Sequence, residues 1–141
     1  MDKVSVSNVK PSWWMIGIAV IGVIGAFLPW ATFGIFSVAG TDGDGVITLI
    51  LFIFFGLIGL WLSRQGEPTV ATGVKVLLII LMAVVVVIAV YDIANISSEG
   101  DSFIKVSPGG GLYLTLISGI AGLVIAARLT RKAPSSAATA D

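Results

Sequence analysis

The chain has 141 residues, 57% of them hydrophobic and 11% charged, and carries no formal net charge. A soluble globular chain carries about 25% charged residues, and a soluble domain of this length has too little interior to hide so much apolar surface. With neither Cys nor His, disulfides, thiolate nucleophiles and the usual zinc, haem and copper sites are excluded, and zero net charge offers no bulk attraction to nucleic acid.

In chain order the sequence predicts a cytoplasmic lead over 1–12, then four apolar blocks at about 13–30, 46–63, 74–91 and 111–129, and a disordered cytoplasmic tail over 131–141. Each block of about 18 residues reaches roughly 27 Å as a helix, close to the hydrocarbon thickness of a bilayer. No water is present there to satisfy free amides, so such runs are helices. The stretch 79–90 is rich in Val and Ile and would suggest a strand in water, but its length and setting predict a helix. Lys3 and Lys10 before the first block also fit a signal peptide. Leu28-Pro29-Trp30 stands where a small-residue cleavage site would fall, so the expectation is a retained span.

Charge fixes the expected orientation. Lys3, Lys10, Arg64, Lys75, Arg128, Arg131 and Lys132 flank one set of block ends, whereas Asp42, Asp44, Asp92, Glu99 and Asp101 flank the other with the single base Lys105. That is the positive-inside pattern of four crossings with both termini cytoplasmic. Aromatic residues agree: Trp13, Trp14 and Trp61 fall at the cytoplasmic ends, and Trp30, Tyr91 and Tyr113 at the outer ends, where indole and phenol rings anchor in the headgroup layer.

The connecting segments carry weaker signals. Residues 31–45 alternate around Phe33, Ile35, Phe36 and Val38, and Phe103-Ile104-Lys105-Val106 reads as a second short strand. The two outer segments are expected to pair as a small antiparallel extracytoplasmic β cap. Shifting the first half by about 66 positions superposes Gly43-Asp44-Gly45 on Gly109-Gly110-Gly111, Gly56-Leu57 on Gly122-Leu123 and Val38 on Ile104, which predicts a duplicated two-helix hairpin in parallel repeat.

Asp42-Gly43-Asp44-Gly45 is the sharpest polar cluster. A calcium loop of this opening needs a Glu twelve positions from its first ligand, and Ile53 stands there, so a cation contact at Asp42 and Asp44 is the minor reading. The major one makes them caps of the second helix, with Ser107 capping the fourth and Pro108 in its first turn. Small residues mark close helix contacts: Gly22 and Ala26 in the first helix, and Ser118, Gly119, Gly122 and Ala126 in the fourth. Two readings are open for these stripes, packing inside the monomer and a seam between copies. The third helix, with branched Val84–Ile88, is expected to face lipid or a partner.

No Asp, Glu, Lys, Arg or His falls between Lys10 and Asp42 or within 46–63, 76–91 and 111–127, and Thr48, Thr115 and Ser118 are the polar groups at depth in the last three blocks. Proton relays, voltage sensors and many ion-coupled carriers place charges there. No nucleophile–base pair, phosphate-cradling loop or metal-ligand set is present, so no enzyme activity and no cofactor is expected.

Leu28-Pro29-Trp30 closing the first block, Asp42-Gly43-Asp44-Gly45-Val46-Ile47-Thr48-Leu49 opening the second and Gly110-Gly111-Leu112-Tyr113-Leu114 opening the fourth resemble a broad set of small bacterial four-span membrane proteins of unassigned function. The resemblance covers most of residues 13–130 and implies a fold type and a place in the bacterial plasma membrane, with no activity. A looser likeness is to claudin-type four-helix proteins, whose first outer loop holds two cysteines that this chain lacks. The expected fold class is an all-α, four-transmembrane-helix bundle, N-in and C-in. The expected function is a non-catalytic assembly or accessory subunit whose partners are the lipid bilayer and itself or another membrane protein. The alternatives are a small holin-like pore and the binding of lipid or another apolar ligand between helices.

Overall fold

A computed structural model describes residues 10–65, 69–98 and 105–131. Its four helices are α1 (Pro11–Phe27), α2 (Gly45–Gln65), α3 (Thr72–Ser98) and α4 (Gly110–Arg128). Strands β1 (Pro29–Phe33) and β2 (Phe36–Ala39) follow α1, β3 (Thr69–Val70) precedes α3, and β4 (Val106–Pro108) and β5 (Thr130–Arg131) flank α4. Helices α2, α3 and α4 are long and apolar enough to cross a membrane, and α1 is a shorter apolar helix.

Local chemistry sets the boundaries. Pro11 opens α1 at a position whose amide has no helical partner. The helix ends at Phe27, because Leu28 precedes Pro29 and a residue before proline is pushed out of the helical region; Leu28 is extended (φ −79°, ψ 162°) while its N–H still reaches Ile24 O. The expected first block ran to Trp30, three residues too far. The chain instead turns into β1. Gly34, at φ +62°, makes the two-residue turn into β2, a conformation glycine adopts without side-chain cost. The third block, expected to close at Tyr91, continues two turns to Ser98, where Ser98 Oγ donates to Asn95 O at 2.7 Å.

The helices pack antiparallel in the order α2–α1–α4–α3, with α1 against both α2 and α4, α3 mainly against α4, and little contact between α2 and α3. Met15, Phe52, Phe55, Leu78, Met82 and Val85 are fully buried and fill the centre. At one end lies a three-stranded sheet in the order β2-β1-β4. Both pairings are antiparallel: Thr32 faces Ser37 on one side and Ser107 on the other. β1 is therefore the central strand. Val38 pairs with Ala31, and the two outer segments join through Ala31–Phe33 against Val106–Pro108; Phe103 and Ile104 lie outside the described residues. At the opposite end β3 and β5 form a two-residue parallel bridge, Thr69 with Thr130 and Val70 with Arg131. Beside it Lys75 Nζ donates to Leu129 O at 3.0 Å. This places a cation on the negative end of α4 and ties the start of α3 to the end of its neighbour.

Candidate functional site

The small residues singled out in the sequence lie inside the monomer. On α1, a Cβ at Gly22 would sit 2.5 Å from the Phe52 ring, and Ala26 is fully buried. In the same seam a Cβ added at Gly56 would lie 2.8 Å from Ala19 Cβ, and one added at Gly59 would lie 2.8 Å from Met15 Cβ. On α4, a Cβ added at Gly119 would lie 2.9 Å from Val85 Cγ1 and one added at Gly122 would lie 2.5 Å from the Met82 thioether sulfur, while Ser118 and Ala126 are buried in the same face. The seam-between-copies reading of these stripes is overturned, since each is covered by another helix of its own chain. Close backbone approach of this kind holds helices together where hydrophobicity provides no drive.

The caps are corrected as well. Ser107 belongs to β4, where its Oγ lies 2.9 Å from Thr32 Oγ1. The N-cap of α4 is Gly109, with no side-chain cap bond, and Pro108 sits in edge strand β4 opposite Ala31, where a missing amide costs nothing. Gly109 is required there because its backbone lies against Pro29 O, and its N–H donates to Trp30 O at 2.7 Å. Asp42 lies in a 3-10 turn, Gly40–Asp42, before α2. Neither Asp42 nor Asp44 hydrogen-bonds a helix amide through its side chain among the described residues; at this end of α2, Ile47 N–H donates to Asp44 O at 2.9 Å. Asp44 lies within electrostatic reach of Asp92, a repulsion of like charges. No group of three metal-ligating residues forms among the described residues.

Of the aromatic anchors, Trp13, Trp14 and Trp61 project outward near the β3–β5 end, and Tyr91 and Tyr113 project outward nearer the sheet. Trp30 does not join them. It is 5% exposed, and its Nε1–H donates to Gly25 O at 3.0 Å. The register shift between Pro29 and Ala31 turns the indole inward, the usual consequence of a bulge, and the ring packs on Gly40 and over Ala89 and Leu112. The signal was present in the sequence: Pro29 ends the helix, and a Trp just after it enters a strand rather than a headgroup layer.

Polar groups at depth are few. Thr48 Oγ1 donates to Gly45 O at 2.9 Å. The hydroxyls of Thr115 and Ser118 are buried without a partner. Thr115 faces Gly25, where an added Cβ would stand 2.8 Å from Oγ1, so the space is already occupied by helix backbone.

Two features open outward. The β1–β2 turn carries Ile35 (94% exposed) and Phe36 (66% exposed), with the Phe33 and Phe36 rings 6.4 Å apart. A groove of about 330 Å3 runs between α1 and α2; Ala19 and Gly56 lie in its floor, and Val20, Ile24, Ile53 and Leu57 line its banks. The floor is deep because two small residues meet there, and no charged residue lines it.

The fold defines a helical membrane protein, three of whose four helices suffice to span a bilayer. Comparison of the chain with protein-family profiles, with curated proteins and with solved structures finds no match.

Proposed function

We propose that the chain is a non-catalytic, four-span protein of a bacterial plasma membrane, with both termini cytoplasmic and the three-stranded sheet on the outer face, and that it serves as an assembly or accessory subunit. α1, at 17 residues, spans roughly 26 Å, and Leu28 extends its apolar run, so it crosses with modest thinning or snorkelling at its ends. The observation that carries the functional reading is the contrast between a sealed interior and an open groove. Large side chains fill the centre of the bundle, whereas the α1–α2 groove presents a shaped apolar recess at membrane depth. A protein so built acts through what it holds on its outside.

The groove equally supports the apolar-ligand reading, with an acyl chain as occupant. The holin-like pore draws no support within one protomer, because Phe52, Phe55 and Met82 stand where a lumen would run and a conducting path needs a polar lining. Cross-linking in native membranes followed by native mass spectrometry in lipid discs tests the assembly reading: a retained protein partner is expected, and a monomer bound to nothing but lipid refutes it. Ion flux from vesicles reconstituted at high protein density would revive the pore.

A further inference from the structure

We propose that the β3–β5 end of the bundle binds the headgroup of an anionic phospholipid through Lys75, Arg128 and Arg131. The inference needs the membrane-spanning fold and is independent of the assembly reading, so either can fail without the other.

These cations are gathered by tertiary contacts. Lys75 lies in the first turn of α3, whereas Arg128 ends α4 and Arg131 lies in β5. The 3.0 Å bond from Lys75 Nζ to Leu129 O sets the ammonium against the residue that follows Arg128 and stands two before Arg131. The pairing of Val70 with Arg131 fastens the same two stretches of chain a second time. Three bases from two distant segments therefore surround the end of α4.

Their charge is not balanced within the described residues. The described acids, Asp42, Asp44 and Asp92, belong to the sheet end; Glu67, in the α2–α3 connection, lies outside the described residues. Among the described residues no hydrogen bond or ion pair engages the side chain of Arg128 or Arg131. Leu129 O takes one of the three ammonium donors of Lys75 and leaves two. Lys75 also sits near the positive end of α3, in a turn without an acid, where a cation is disfavoured. An anion at this end relieves the repulsion among the three bases and this cost together.

Depth selects a lipid as its carrier. The cations stand where two spanning helices leave the hydrocarbon, since α4 ends at Arg128 and α3 starts three residues before Lys75. Toward the bilayer the exposed side chains turn apolar at once: Leu77 and Ile80 on α3, Ile120 and Val124 on its packed neighbour α4. A phosphate held by the bases therefore hangs its acyl chains along a surface suited to them. Basic clusters between helix ends at this level attract acidic headgroups. A zwitterionic headgroup brings its own ammonium to the cluster and loses part of that attraction, whereas a headgroup of net negative charge keeps it all.

Native mass spectrometry in mild detergent reads the site. The chain is offered equal amounts of phosphatidylglycerol and phosphatidylcholine with the same acyl chains, and the retained lipid is counted. Phosphatidylglycerol should exceed phosphatidylcholine by roughly fivefold or more, the factor that one basic residue supplies at a membrane surface. Arg128→Gln with Arg131→Gln should bring the two lipids to near parity, while Lys75 keeps its bond to Leu129. Lys10→Gln with Arg64→Gln removes the same charge beside α1 and from α2 and should leave the preference unchanged. Equal retention of the two lipids by the unsubstituted chain overturns the site, as does a preference that survives the paired arginine substitution. An equal drop in both pairs overturns it in favour of diffuse charge. Release of phosphatidylglycerol by excess inorganic phosphate overturns the lipid as occupant and assigns the cluster to free phosphate.

Discussion

Gly111→Ala is the sharpest probe of how α1 meets α4. A Cβ at this position would lie 2.6 Å from Gly25 O, 2.7 Å from Leu28 Cβ and 2.8 Å from Leu28 C. Two of those atoms are backbone, so no rotamer change relieves the clash and the two helices must part. Overpacking of a close-fitted interior costs about 1–3 kcal/mol. The added methyl also presses on Gly25 O, the acceptor of the Trp30 Nε1–H bond, and displacing it weakens a bond worth about 1 kcal/mol. Against this, alanine is favoured over glycine in a helix by about 1 kcal/mol. The expected net is a loss of about 1–3 kcal/mol. Gly17, in α1, has nothing within 4 Å of its added Cβ, so Gly17→Ala should gain up to about 1 kcal/mol by propensity alone. Unfolding in mixed micelles titrated with sodium dodecyl sulfate, followed by far-UV circular dichroism, compares the two. Equal stability of the two variants, or a more stable Gly111→Ala, would falsify the close-approach account of this seam.

Further outcomes follow from the polar groups. Thr115→Val and Ser118→Ala remove buried hydroxyls that have no partner, so in the same titration each should be neutral or stabilising by up to about 1 kcal/mol; a clear loss would mean the hydroxyl is bonded in the bilayer. Lys75→Met removes the bond to Leu129 O and should cost about 1 kcal/mol, with faster amide exchange in the last turn of α4 as its local signature. Trp30→Phe should cost a similar amount, about 1 kcal/mol, and remove the most blue-shifted part of the tryptophan emission, because the other three indoles are exposed; an unchanged spectrum would place Trp30 in the headgroup layer after all.

Several features were legible in the chain. Hydrocarbon leaves a long apolar run no option but a helix, so four helices and their approximate centres followed from the four blocks, and the Gly and Ser spacing marked the faces along which they pack. Local rules, applied more strictly, would have ended α1 at Phe27, since Pro29 already forbids the next turn. What covers each face was not legible. Gly122 and Ala126 look alike whether the opposing surface belongs to α3 or to a second copy, because spacing records only that something comes close. The sheet order was also hidden: Ala31, Val38 and Val106 all have strand character, and only the packing of Gly40 on Trp30 and of Gly109 on Pro29 makes β1 the centre. Lys75 read only as one of the bases flanking the block ends, yet a backbone carbonyl 54 residues away captures it. By itself the sequence determined which segments leave water, because that depends on summed local hydrophobicity. The tertiary structure alone decided which small residues are consumed inside and which groove is left open, because those depend on the contacts of residues far apart in the chain.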